Sequence, residues 1–137
     1  MSPILENDIK EGQVSKETKI FSEDDLLIDI PDTILDIYNE LKEYILSLDD
    51  NINLNPTKLY IGFNRGRKSV ISIKIQKSSL VLWINSNLKE INAPKNIIRD
   101  VSNIGHHGNG NCEIKIYDRK NIGYIEDILK EYIYNLD

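Results

Sequence analysis

The sequence lacks cysteine pairs and long hydrophobic runs. Its 137 residues include one cysteine, Cys112, which excludes an internal disulfide framework and cysteine-based zinc sites. A lone cysteine is typical of a reducing compartment, and it is usually a small buried hydrophobic residue. No apolar run approaches the roughly 20 residues that span a bilayer, and no secretory leader opens the chain. We therefore expect a cytoplasmic location and no membrane partner.

Acidic residues are missing from one long segment. Between Asp50 and Glu90 the chain has no Asp or Glu but seven bases: Lys58, Arg65, Arg67, Lys68, Lys74, Lys77 and Lys89. The whole chain nevertheless has a formal net charge of −5 at pH 7, because acids predominate elsewhere. Since the local field rather than the net charge steers a charged partner, the segregation predicts a basic surface for an anionic partner.

The length and the composition predict one globular domain. With 40% hydrophobic residues, the chain can bury a core without disulfides or a structural metal. Residues 1–20 are polar without a sustained period, so they are predicted to be a flexible tail or linker. The domain is predicted over residues 21–137, with residues 20–30 as an extended segment on its edge.

Two amphipathic helices are predicted, over residues 31–48 and 121–136. In both segments apolar residues recur at steps of three and four, which places them on one stripe. Pro31 and Asp32 suit a helix entry, because a missing N–H is harmless there and a carboxylate favours the helix dipole.

Four strands are predicted, over residues 58–63, 70–77, 79–85 and 112–117. Within 70–77, isoleucines alternate with Ser72, Lys74 and Gln76, which predicts one buried face and one face in water. Residues 79–85 are almost continuously apolar and are predicted to lie centrally. Residues 86–110 are predicted to be irregular, with a helical turn at Ile97 and Ile98. This order indicates an α+β fold: an antiparallel sheet of about four strands with two helices packed on one face.

The acid-free segment supplies the first candidate site. The predicted binding residues are Arg65, Arg67, Lys68, Lys74, Tyr60 and Trp83. The cations, on a hairpin turn and on the wet strand face, would neutralise phosphates, and the aromatic rings would stack with bases. The alternative is that such lysines are simply solvated or protect a sheet edge from aggregation. The net acidity of the chain also counts against DNA binding.

A glycine-rich loop with both histidines of the chain is the second candidate site. Its residues of interest are Asp100, Gly105, His106, His107, Gly108 and Gly110. The histidines could bind a metal or transfer protons. However, adjacent histidines rarely converge on one ion, no nucleophile elbow is present, and a strand rather than a helix follows the glycines. The alternative is a structural turn whose glycines adopt positive φ, and we assign no catalytic residue and no metal ligand.

Several stretches follow one another in a distinctive order over about residues 22–136. They are Leu35–Leu48 (LDIYNELKEYILSL), Pro56–Phe63 (PTKLYIGF), a basic turn, Leu80–Asn85 (LVLWIN), Arg99–Ser102, the loop Gly105–Gly110 and a final helix like Ile125–Tyr132. In that order they resemble a prokaryotic domain of unknown function, sometimes labelled "predicted transport protein". The resemblance implies a domain found alone and as the C-terminal module of larger proteins, including some restriction-type nucleases. It implies that Arg99 joins the loop residues of interest. It supplies no reaction, but by analogy the nuclease association favours a nucleic-acid role.

We therefore expect a non-enzymatic binding module, without a cofactor, that engages nucleic acid or another polyanion through the basic hairpin and the wet sheet face. A protein-interaction or accessory domain of a larger protein is the first alternative, with the acidic N-terminal region contacting the partner. An enzyme that uses the Gly-His-His-Gly loop is the second alternative, and it would need a pocket beside that loop.

Overall fold

The computed structural model describes residues 21–85, 97–101 and 110–136. The predicted tail over residues 1–20 lies outside these residues. The elements are α1 (Glu23–Leu26), α2 (Asp32–Leu48), β1 (Ile52–Pro56), β2 (Ile61–Arg65), β3 (Lys68–Ile75), β4 (Leu80–Ile84), β5 (Ile98–Asp100), β6 (Cys112–Ile116) and α3 (Ile122–Tyr134). Within the described parts of the chain, no helix has both the length and the apolar character that crossing a membrane requires.

The six strands form one antiparallel sheet in the order β1-β2-β3-β4-β6-β5. The predicted α+β class is confirmed, but the prediction of about four strands is wrong. Both unpredicted strands lie at the edges of the sheet. The sequence of β1, INLNP, contains two asparagines and a proline, and β5 is only three residues long where a helical turn was expected. In β1, Ile52 and Leu54 alternate with asparagines over four residues only, and asparagine and proline are disfavoured in strands, while β5 is too short to show a period.

A third helix, α1, replaces the extended segment predicted over residues 20–30. Ser22 caps this helix, since its Oγ accepts from Asp25 N at 3.3 Å and Asp25 Oδ2 accepts from Ser22 N at 3.0 Å. Glu23 then fastens α1 to α2 by accepting from the Tyr38 hydroxyl and from Lys42 Nζ at 2.9 Å. Burial alone would raise the pKa of Glu23, but these two donors outweigh burial and the pKa lies below its usual value.

The main core lies between the helices and one face of the sheet. It contains side chains of α2 such as Leu41, side chains of α3 such as Leu129, and the isoleucines of β3. Residues 34–45 and 125–133 contribute their predicted stripes, so the two long helices are confirmed with ends within two residues of the prediction. The face of the sheet opposite these helices carries the alternate strand residues.

Strand β4 lies between β3 and β6, and all five of its residues are buried. Leu80, Leu82 and Ile84 join the main core. Val81 and Trp83 point to the opposite face, where they form a second small cluster with Val101. The prediction that this strand lies centrally is therefore confirmed, and the sheet has an apolar patch on each face.

Tyr132 of α3 bonds to the backbone of β3 and of the residue after β4. Its hydroxyl donates to the Val70 carbonyl at 2.7 Å and accepts from Asn85 N at 3.4 Å. Val70 is the residue that the β2–β3 register skips, because Ser69 faces Asn64 while Ile71 faces Phe63. The hydroxyl thus satisfies a carbonyl at a bulge, and burial raises the pKa of Tyr132.

We expect the substitution Tyr132→Phe to lower the free energy of unfolding by about 1–3 kcal/mol, because it leaves the Val70 carbonyl buried without its donor. Urea unfolding followed by far-UV circular dichroism measures this change. Tyr134→Phe is the matched control, since Tyr134 is 63% exposed on the same helix and should change stability little. Equal stability of Tyr132→Phe and the parent protein would contradict the assignment.

Candidate functional site

The face of the sheet that points away from α2 and α3 carries a row of side chains across all six strands. The registers of the five strand pairs place its members opposite one another: Asn55, Gly62, Ser72, Trp83, Glu113 and Arg99. A second row on this face contains Lys74, Val81 and Lys115. We call these two rows the outer face.

Glu113 connects three strands of the outer face through a buried carboxylate. Arg99 Nε donates to Glu113 Oε1 at 2.6 Å, and Trp83 Nε1 donates to Oε2 at 3.2 Å. Glu113 is 6% exposed, whereas the side chain of Arg99 is 56% exposed. A carboxylate is strongly disfavoured in a buried position unless donors replace water, and these two donors meet that need. The result is a guanidinium held at the surface by a buried anion.

The two aromatic residues predicted to stack with bases have different surroundings. Trp83 is 3% exposed and packs with Val81 and Val101, so its ring is not presented at the surface. Tyr60 is half-buried in the turn between β1 and β2, where its N–H donates to the Thr57 hydroxyl at 3.1 Å. Trp83 therefore serves the outer face by packing and by bonding Glu113, and stacking on Tyr60 stays a prediction.

Ser72 was predicted to lie on the face of the sheet that is exposed to water, but it is fully buried. Its cross-strand neighbours are Gly62 and Trp83, so the small serine side chain lies beside the much larger indole ring of Trp83. Within the described chain, its Oγ and the Asn64 Oδ1 are buried polar atoms without a hydrogen-bond partner. The middle of the outer face is therefore closed to solvent, and its cations lie around this closed patch.

The predicted basic hairpin does not present its cations on the outer face of the sheet. Arg65 faces the helices, where its Nη2 pairs with Asp49 Oδ2 at 2.6 Å just after the end of α2. The backbone N–H of Asn51, which donates to Asp49 at 2.9 Å, and the Arg65 charge lower the pKa of Asp49. Arg65 is thus largely neutralised. Arg67 remains exposed on the turn, where Gly66 has a φ of 65°.

The structure does not bring the four predicted cations together. Lys68 is the cross-strand partner of Arg65 and belongs to the helix side, whereas Lys74 belongs to the outer face. Six residues of extended chain separate Lys68 from Lys74, or about 20 Å, which is more than twice the Debye length of about 8 Å in physiological salt. Of the other basic residues, Lys58 and Lys77 lie in turns at the opposite end of β2 and β3, and Lys89 lies outside the described residues.

Lys115 is a cation of the outer face that sequence analysis did not select. It stands in register with Val81, whose other neighbour is Lys74, so the two lysines are two strand spacings or about 10 Å apart. The alternation in residues 112–117 already places Lys115 on the face away from the core. Its nearness to Lys74 needs the pairing of β4 with β6, which no local pattern reveals.

The glycine-rich loop is described at its two ends. Arg99 and Asp100 belong to β5, and Asp100 stands opposite Cys112, which is buried as predicted. Gly110 has a φ of 134°, and a Cβ there would lie 2.5 Å from the Ile84 carbonyl oxygen, so only glycine fits. Gly105, His106, His107 and Gly108 lie outside the described residues, and their role stays a prediction. The described residues contain no group of three or more His, Cys, Asp or Glu that could hold a metal ion.

Comparison with known proteins gives a family match without an activity. A family model described as a domain of unknown function (DUF5655) matches residues 23–131. A relative from Haemophilus influenzae, named "Uncharacterized protein", is 40% identical over 124 residues, which are 90% of this chain and 41% of the relative. The chain thus spans about two fifths of the length of that relative. No solved structure matches the chain.

We expect Arg99→Gln to destabilise the protein more than Glu113→Gln does. Arg99→Gln leaves a buried carboxylate without its cation, which lowers the free energy of unfolding by about 1–3 kcal/mol. In Glu113→Gln the unpaired Arg99 side chain is hydrated instead. Urea unfolding at pH 7 compares the two variants. Lys115→Gln, an exposed neutralisation on the same strand as Glu113, should stay within about 0.5 kcal/mol of the parent protein. A larger loss for Glu113→Gln than for Arg99→Gln would contradict the asymmetry.

Proposed function

The chain belongs to the DUF5655 family of domains of unknown function, and we propose that it is a binding module that engages nucleic acid or another polyanion through the outer face of its sheet. The observation that supports this proposal is the set of cations around the closed apolar patch. Lys74 on β3, Lys115 on β6 and Arg99 on β5 lie on one face, in adjacent rows. Acids are not part of this set except for Glu113, which is buried beneath Arg99.

The pairing of charges favours the outer face over the rest of the molecule. Among the described residues, the ion pairs neutralise Lys42, Arg65 and Arg119, in addition to the Arg99–Glu113 pair. Lys74 and Lys115 pair with no carboxylate of the described chain. Two unpaired cations about 10 Å apart attract successive phosphates more strongly than either does alone, since their separation is close to one Debye length.

The hairpin supplies a second cationic point for a long ligand. Arg67 and Lys68 are exposed at the end of the sheet opposite Lys74, roughly 20 Å along β3. A small anion cannot reach both groups, but an extended polyanion can contact the outer face and the hairpin together. This separation supports a polymeric ligand such as single-stranded nucleic acid, whose backbone follows cations in a salt-dependent manner.

We expect the double charge reversal Lys74→Glu plus Lys115→Glu to weaken binding of a fluorescein-labelled single-stranded oligonucleotide by at least about tenfold at low salt. Two lost phosphate contacts should also reduce the slope of log K against log salt by about 1.4. Fluorescence anisotropy at about 20–150 mM salt, a range over which the Debye length shortens to about 8 Å, measures both quantities, and a duplex of the same sequence tests the preference for single strands.

Two further variants make that result specific. Arg67→Glu plus Lys68→Glu changes the charge equally at the hairpin and should weaken binding less. Lys130→Glu, on the exposed side of α3, should leave binding unchanged apart from a small effect of net charge. If the outer-face variant binds both oligonucleotides as tightly as the parent protein at every salt concentration, the proposal is wrong.

A protein-interaction or accessory domain is the second candidate, and we propose α3 as its surface. Tyr124 and Tyr134 are 47% and 63% exposed on this helix, and Lys130 Nζ lies 5.8 Å above the Tyr134 ring. Exposed tyrosines are enriched at protein interfaces because each ring offers apolar area with a polar end. The greater length of the Haemophilus influenzae relative also fits a domain that works beside further sequence.

For this second candidate we expect concentration-dependent association that Tyr124→Ser plus Tyr134→Ser removes, because the substitutions delete both exposed rings. Static light scattering over a tenfold concentration range measures the mass. Tyr117→Ser is the control, since Tyr117 is 62% exposed but lies after β6, away from the middle of α3. A constant monomer mass for the parent protein would count against self-association through α3.

A further inference from the structure

We propose that the edge of the sheet at β5 and β6 contains a binding site for a phosphate monoester. A cavity of about 430 Å³ opens between this edge and the start of α3, within the range of about 300–1,000 Å³ typical of small-molecule sites. Its lining combines three cations, Arg99, Lys115 and Lys120, with apolar side chains of Ile98 and Ile125. This inference goes beyond the proposed function and does not depend on it.

Arg99 is prepared to bind an oxyanion through two parallel hydrogen bonds. Its Nε is occupied by Glu113 at 2.6 Å, and no other described residue bonds to this guanidinium. The two terminal nitrogens therefore remain as donors, in the fork geometry that matches phosphate and carboxylate oxygens. Because Glu113 is buried and also bonded to Trp83, the guanidinium is held in place before a ligand arrives.

The number of donors favours a phosphate monoester over a carboxylate. Two acids line the cavity, but Glu113 already accepts from two donors and Asp118 Oδ1 accepts from Lys120 N at 2.9 Å. Neither Lys115 nor Lys120 pairs with a carboxylate of the described chain. The three cations and two acids of the lining sum to +1, and a phosphate monoester offers three acceptor oxygens, one for each cation, whereas a carboxylate offers two.

The remainder of the lining indicates the organic part of the ligand. Ile98 and Ile125 offer an apolar surface beside the cations, and Tyr117 at the rim is 62% exposed. An exposed tyrosine ring beside a phosphate site can stack on a planar base. The site therefore favours a monoester that carries an aromatic group, such as a nucleoside monophosphate.

The protein contains its own reporter for this site. Trp83 is the only tryptophan of the chain, and its indole N–H shares the Glu113 carboxylate with Arg99. An anionic ligand that binds the Arg99 guanidinium changes the electrostatic potential at Glu113 and hence the environment of the indole. Ligand binding at this cavity should therefore alter the Trp83 fluorescence, whereas binding at the hairpin or on α3 should leave it unchanged.

The test is a titration of the full chain with adenosine 5′-monophosphate, adenosine and inorganic phosphate at constant ionic strength. Calorimetry and Trp83 fluorescence follow the same samples. We expect saturable binding of the monophosphate with the same Kd by both methods, weaker binding of inorganic phosphate, and adenosine weaker than the monophosphate by at least about tenfold. Equal affinity for the monophosphate and adenosine, or no saturable binding of the monophosphate, would overturn the proposal.

Variants then locate the ligand. Arg99→Lys keeps the charge but removes the paired donors of the guanidinium, and it should weaken binding of the monophosphate by about tenfold or more. Lys115→Gln is exposed and leaves the Arg99–Glu113 pair intact, so it should weaken binding by several-fold even if Arg99→Lys is unstable. Lys74→Gln is the matched control, since Lys74 lies on the outer face but does not line the cavity. Binding that survives both Arg99→Lys and Lys115→Gln, without a fluorescence change, would place the ligand elsewhere.

The same samples separate this inference from the polyanion proposal. If oligonucleotides bind but the monophosphate does not, the edge site is wrong while the polyanion proposal stands. If the monophosphate binds and loses affinity in Lys115→Gln while no oligonucleotide binds, the edge site stands alone.

Discussion

The burial of β4 on both of its faces is the constraint on which the other features depend. Leu80, Leu82 and Ile84 complete the main core under the helices, while Val81 and Trp83 need apolar neighbours on the opposite face. The polar and charged side chains of the outer face consequently lie on the strands on either side of β4. The indole N–H of Trp83 still needs an acceptor, and the Glu113 carboxylate supplies it. That carboxylate in turn determines where Arg99 lies.

A single bulge decides which cations share a face. Strict alternation along β3 would place Lys68 and Lys74 on the same side of the sheet. Because the register skips Val70, Lys68 instead stands opposite Arg65 on the side of the helices, where Asp49 neutralises Arg65. The basic segment of the sequence is therefore divided into a hairpin tip and an outer-face lysine. The outer-face lysine gains its neighbour, Lys115, from a distant strand.

The predictable part of the fold is the part with a long hydrophobic period. The two long helices and β4 followed from repeats of several apolar residues, each independent of the others. The short edge strands β1 and β5 were not predicted, since asparagine and proline argue against a strand despite the brief alternation in β1, and β5 has only three residues. Helix α1 was missed although Ser22 and Asp25 have the spacing of a capping box, because the helix is only four residues long and the contacts of Glu23 with α2 form only after the chain has folded.

The candidate site was less predictable than the fold for a related reason. Charge counting identified an acid-free segment, but it could not show that Asp49 would neutralise Arg65. The Trp83–Glu113–Arg99 network joins residues that are 30 and 14 positions apart, and only the strand registers bring them together. Arg99 was selected through a family resemblance, and Glu113 and Lys115 lie within a predicted strand but were not selected as site residues. The residue types of such a network can be read from the sequence, but the strand registers determine which of these residues come into contact.

The bond between Tyr132 and the bulge at Val70 has a consequence during synthesis of the protein. Tyr132 follows Val70 by 62 residues in the chain. A ribosome therefore synthesises all six strands of the sheet before it synthesises the tyrosine that bonds to the bulge in β3. Until α3 emerges, the isoleucine face of the nascent sheet has only part of its cover, and exposed strands of this kind invite aggregation. Stable folding of this domain therefore waits until α3 has been synthesised, and we expect a domain truncated before α3 to be a substrate for chaperones or proteases.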